Sequence, residues 1–118
     1  MKNITLNIIG QRILADVLKE KQDIIKMDIL FFKSPEDYFK NINNDLTKNI
    51  IITNLSNLDF FEKSNYKVNN PIFYLTSREN YQSNKNKVKK YEVTYFPLSI
   101  KDFIEKLKLA YIKSKFNI

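Results

Sequence analysis

The chain has no cysteine, no histidine and no tryptophan, and a single glycine among its 118 residues. Without cysteine and histidine there are no disulfides, no thiolate or imidazole ligands for zinc, no Cys or Ser/His nucleophile systems and no imidazole acid-base chemistry. Few enzyme mechanisms survive those deletions, so the chain is not expected to be an enzyme. The solitary Gly10 removes more, because phosphate-cradling loops need several residues without Cβ for close backbone approach and positive φ. Neither a P-loop nor a dinucleotide fingerprint can be written around it, a flavin-phosphate loop is not expected, and no cofactor is assigned. No apolar run reaches the roughly 18 residues of a membrane helix. The opening MKNITLNIIGQR is too short and too interrupted by Asn and Thr for a signal peptide. The expectation is a soluble, cytoplasmic protein.

Lysine, asparagine and isoleucine are abundant instead, at 18, 15 and 16 residues, or 49 of 118. All three can be encoded by codons made only of A and T, so drift in base composition supplies lysine without selection for a ligand. The net charge of +7 therefore permits an acidic partner such as nucleic acid without arguing for one. The length suits one domain spanning residues 1–118, able to bury roughly two-thirds of its unfolded surface. No linker, repeat or Pro/Gly/Ser-rich boundary interrupts it.

Ile4 to Ile9 (ITLNII) reads as a strand, followed by a helical pattern with Ile13, Leu14, Val17 and Leu18 on one face. Met27 to Phe32 is a second strand. Ser34 to Asp37 (SPED) is a helix start: Ser as N-cap, Pro at the first helical position, and two acids near the positive end of the dipole. Tyr38, Phe39 and Ile42 supply the buried face of that helix. Ile50 to Thr53 is a third strand, continuously apolar as strands covered on both faces are. A short helix is expected at Leu58 to Lys63. Pro71 opens a fourth strand that ends at Thr76, with a polar helix or loop after it. Val93 to Phe96 is the fifth, and Ser99 with Asp102 resembles a capping box. The last helix places Ile100, Phe103, Ile104, Leu107 and Tyr111 on one stripe. Five strands alternating with helices argue for βαβ units, right-handed crossovers and a parallel sheet covered on both faces. In such sheets a site lies beyond the carboxyl ends of the strands, so the residues that end them are the ones to inspect.

The order of the pieces resembles the receiver domains of bacterial two-component response regulators. The resemblance implies a flavodoxin-like, receiver-type, doubly wound five-stranded parallel sheet in the order 2-1-3-4-5. It covers nearly the whole chain and rests on pattern more than on identity. NIIITNL looks like the third receiver strand, whose terminal Asp is phosphorylated, and that position falls on Asn54. PIFYLTS looks like the fourth, whose Ser or Thr follows the phosphorylation state, and that position falls on Thr76. TYFPLSIKDFIEKL looks like the Lys-Pro and last helix of the family, with Pro97 matched and Phe96 in place of the Lys. The acidic pair that holds magnesium would fall near Gly10 and Gln11. The switch aromatic of strand five falls on Val93. Tyr95 lies beside it and is expected to point to the other side of the strand.

Aspartyl phosphate formation needs a carboxylate nucleophile, and the Asn54 amide has neither the charge nor the nucleophilicity. Magnesium needs hard oxygen ligands, normally including carboxylates, which Gly10 and Gln11 lack. The charge developing on a transferred phosphoryl group needs a cation, and Phe96 is none. Gly10, Gln11, Asn54, Thr76 and Phe96 thus read as a degenerate phosphoacceptor pocket. Asp59 stands five residues past Asn54 and reads as a helix-start or loop acid. Thr76 reads as a β-branched strand end, and Phe96 with Tyr95 as packing. The lysines of NKNKVKKY read as a phosphate-contacting patch or as a solvated helix face.

What remains for such a domain is to bind a protein. The expectation is a non-phosphorylatable pseudo-receiver of a bacterial two-component or transcription-regulating system, homodimeric through its fourth helix, fifth strand and fifth helix. Lys87, Lys90, Tyr95, Lys101, Lys108 and Tyr111 are placed at that interface by position. The alternative is a basic nucleic-acid-binding protein or module, with nucleic acid reached weakly or through a separate effector domain. Lys113 to Ile118 reads either as a chain end or as the start of a linker to such a domain.

Overall fold

A computed structural model of the chain describes residues 4–41, 49–63, 71–89, 91–96 and 99–116. Its strands are β1 (Thr5–Ile9), β2 (Asp28–Phe32), β3 (Asn49–Asn54), β4 (Ile72–Ser77) and β5 (Glu92–Phe96). They form one parallel sheet in the order β2-β1-β3-β4-β5, as the resemblance implied. The helices are α1 (Arg12–Glu20), α2 (Gln22–Ile25), α3 (Pro35–Lys40), α4 (Leu58–Lys63), α5 (Arg78–Ser83) and α6 (Ile100–Phe116), with a 3-10 turn at Leu55–Asn57 leading into α4. This is a flavodoxin-like, receiver-type fold.

The sheet is central because its inner strands are apolar on both faces. In β3, Ile50 and Ile52 join Leu14, Leu18, Phe103 and Leu107 in the layer under α1 and α6. Ile51 points the other way, into the layer of Tyr38, Leu58, Phe61 and Tyr74 beneath α3, α4 and α5. That alternation is the period of two of an extended chain. All three isoleucines are fully buried, each worth roughly 1.5–3 kcal/mol.

The helix starts follow their expected chemistry. Ser34 Oγ accepts from Asp37 N at 3.1 Å with Pro35 at the first position, and Asp37 reaches back to accept from Lys33 N at 3.3 Å. Ser99 Oγ accepts from Asp102 N at 3.1 Å at the head of α6. A third cap, Ser77 on α5, accepts from Asn80 N at 3.1 Å. Strand limits differ by a residue or so from those expected.

Several expectations are corrected. Ile13 is 80% exposed, and the buried stripe of α1 is Leu14, Ala15 and Leu18. At 100° per residue Ile13 lies roughly 140° around the helix from Leu18, too far to share its contact. The first helix also breaks at Lys21, so α2 is separate and ends on Lys26 in the left-handed conformation (φ 57°). The fourth and fifth helices of the family therefore correspond to α5 and α6. The described part of the lysine-rich segment after α5, residues 84–89, is a succession of turns with Val88 buried, not a helix face. Ile42 lies outside the described residues. Among the described residues no helix is long and apolar enough to cross a membrane.

Candidate functional site

Parallel strands bring their carboxyl ends to one edge of the sheet, and that edge gathers Gly10, Gln11, Asn54 and Thr76. Gly10 follows β1 with φ +80°, a conformation that glycine adopts without the cost a Cβ imposes. Its amide donates to Phe32 O at 2.8 Å, which ties the turn to β2. A Cβ built there would stand 3.5 Å from Asn54 Nδ2, an ordinary contact, so the backbone and not space calls for glycine. The side chain of Gln11 donates from Nε2 to Asn54 Oδ1. Where the resemblance places a magnesium ligand and the phosphoacceptor, two neutral amides are closed on one another. Neither ionises in the accessible pH range, and neither is an anionic ligand or an oxygen nucleophile.

Around this pair the strand-end hydroxyls are used locally. Thr53 Oγ1 accepts from Asn57 Nδ2 at 2.8 Å, and Thr76 Oγ1 accepts from Asn80 Nδ2 at 2.6 Å. Asn84 Nδ2 in turn donates to Asn80 Oδ1 at 2.9 Å and Asn80 O at 2.8 Å. Thr76 is thus the end of an amide ladder along α5, in keeping with its reading as a strand-end residue. Asp59 is exposed in the first turn of α4, the helix-start reading. It lines a groove of about 310 Å³ with Leu58, Asn80, Asn84, Lys87 and Val88. Phe96 ends β5 opposite Ser77. Its side chain, like Pro97, lies outside what is described.

The second feature at this side of the sheet is the face made by α5, β5 and α6. Val93 and Tyr95 are two residues apart and so share a side of the strand, which overturns the expectation that Tyr95 points away from Val93. Both line a groove of about 640 Å³, and Tyr95 meets Tyr81 of α5 with ring centroids 5.0 Å apart. Thr94, between them, is 3% exposed and faces α6, where Lys106 Nζ donates to its Oγ1 at 3.5 Å. Of the residues assigned to this interface from sequence, Lys87 is exposed in the turns after α5, and Lys101 and Lys108 are exposed on α6. Tyr111 lies on the backbone of α6 with its side chain outside the description, and Lys90 is outside the described residues. Sequence reasoning missed Tyr81 and Lys106. The nearest signal was a tyrosine inside the otherwise polar RENYQS.

Tyr74, on β4 in the layer below α4, is 3% exposed and packs edge-on against Tyr91 with centroids 5.9 Å apart. Burial, reinforced by the carboxylate of Glu62, pushes its phenol up to about 12.

Strand order and the two helical layers define the fold as flavodoxin-like and receiver-type. A solved structure of a RitR mutant is similar to the chain at 19% identity with a TM-score of 0.73, covering 97% of this chain and 56% of that one. At that identity the likeness shows the fold alone, and the chain spans little more than half the length of that neighbour. No protein-family model and no curated protein matches the chain.

Proposed function

We propose that the chain is a receiver-like signalling domain that works by protein-protein interaction and does not accept a phosphoryl group. The observation that carries this is the Gln11–Asn54 amide pair at the carboxyl ends of β1 and β3. The receiver-type fold and the likeness to RitR support the signalling part. With no carboxylate nucleophile or charged metal ligand at Gly10, Gln11, Asn54 or Thr76, those described strand-end residues offer no route to an acyl phosphate, and the Thr76 hydroxyl has no oxyanion to follow. In that reading the domain holds one state of a switch that phosphorylation biases in receivers, and keeps the surface that state presents.

The working surface is the α5-β5-α6 face, and self-association through α6 belongs to the same proposal. Leu109 and Ile112 support it, being 59% and 45% exposed on the helix side away from Phe103 and Leu107. The test is incubation with acetyl phosphate and magnesium followed by intact-mass measurement. The mass is expected to stay unchanged; addition of a phosphoryl group at any Asp or Glu would overturn the proposal.

A further inference from the structure

The groove at the outer side of β5 carries more specific chemistry than a general interface requires. Among the described residues β5 is an edge strand, paired with β4 alone. An edge strand has backbone N–H and C=O groups that its single neighbour does not take up, and an extended segment can pair with them. Here the floor is Val93, Thr94 and Tyr95, with a volume of about 640 Å³. One wall is Tyr81 of α5 with Lys85 just beyond it, and the other is Lys106 of α6. Thr94 accepts one hydrogen bond from Lys106, which holds that ammonium at the groove while its other protons stay available. Among the described residues, none that lines the groove is acidic.

We propose that this groove binds an acidic, extended segment of a partner protein. Its carboxylates pair with Lys85 and Lys106, and its apolar side chains rest on Tyr81, Val93 and Tyr95. The inference rests on the reading of this face as the working surface. A second copy presenting the same groove is a poor occupant, because its own Lys85 and Lys106 would meet their counterparts there, whereas Leu109 and Ile112 lie outside the groove lining. Nucleic acid is the less suited anion: Tyr81 and Tyr95 are in ring contact with each other rather than arrayed as successive stacking platforms.

The test is fluorescence anisotropy of the 118-residue chain with a fluorescein-labelled peptide of alternating glutamate and valine, followed by amide NMR of the complex. Controls are the same peptide with lysine for glutamate, and single-stranded oligo-dT. Expected are saturable binding that weakens with salt, and amide shifts centred on Tyr81, Lys85, Val93, Tyr95 and Lys106. Lys85→Glu and Lys106→Glu should each weaken binding about tenfold, while the charge-matched Lys19→Glu on α1 leaves it within about twofold. Lys85 is an exposed turn residue, so Lys85→Glu separates binding from folding, as its otherwise unchanged amide spectrum would show. No saturable binding, equal binding of the lysine peptide, oligo-dT binding as tight as the acidic peptide, or indifference to Lys85→Glu would each overturn the proposal. Phosphoryl uptake would sink the pseudo-receiver reading and leave the groove intact, whereas loss of peptide binding sinks the groove alone.

Discussion

The residues that decide the chemistry are few, and each carries a test. Asn54→Asp restores the carboxylate and keeps an oxygen for Gln11 Nε2, so the variant should fold normally. It should still take up no phosphoryl group from acetyl phosphate, because Gly10 and Gln11 supply no metal acid and Phe96 no cation. Stable phosphorylation of that variant, seen by mass, would show that one carboxylate is enough. Gly10→Ala should cost about 1–2 kcal/mol in urea unfolding, since a Cβ at φ +80° is strained even though the space is open. At Tyr74 the folded phenol titrates at about 12 against an ordinary 10.0. Below the unfolded value both states are protonated and the contribution is full. As pH rises from there to the folded value, only the unfolded phenol ionises, and stability should fall by about 1.4 kcal/mol per pH unit before levelling off. Tyr74→Phe should remove that step from the difference between the two proteins' alkaline unfolding curves. Every other side chain is common to the two proteins, so the difference isolates Tyr74.

At the level of elements, the caps and the buried stripe of α6 are the measurable terms. Ser99→Ala should lose about 1 kcal/mol by freeing the Asp102 amide, and Leu107→Ala about 2–5 kcal/mol by opening a cavity under the sheet. Chemical denaturation of both variants checks the order as well as the size. These elements were legible in sequence because the signals are local: four apolar or β-branched residues in a row for β3, Ser-Pro-Glu-Asp for α3. The face of α1 was not. Ile13, Leu14, Val17 and Leu18 admit two overlapping stripes, and Ala15, small enough to sit against the sheet, selects between them. The strand-end cluster was legible because parallel pairing must bring Gly10, Gln11, Asn54 and Thr76 to one edge. The hydrogen bond between Gln11 and Asn54, and the ladder from Asn84 to Thr76, depend on side-chain rotamers that no spacing specifies. The groove beside β5 was illegible for a different reason. Tyr81, Tyr95 and Lys106 come from three elements and meet only because the β4-β5 crossover carries α5 to one layer and the chain returns past β5 as α6 in the other.

The whole molecule is a receiver-type sheet whose strand-end residues Gln11 and Asn54 are closed on one another, and the working surface proposed for it is the α5-β5-α6 face. The proposed function makes association independent of phosphorylation. Sedimentation equilibrium of the chain over a wide concentration range, with and without acetyl phosphate and magnesium, tests that most directly. Expected is a concentration-dependent dimer with the same dissociation constant under both conditions, weakened by Leu109→Glu on the exposed side of α6. Association that appears only with the phosphodonor, or a monomer at every concentration, would contradict it.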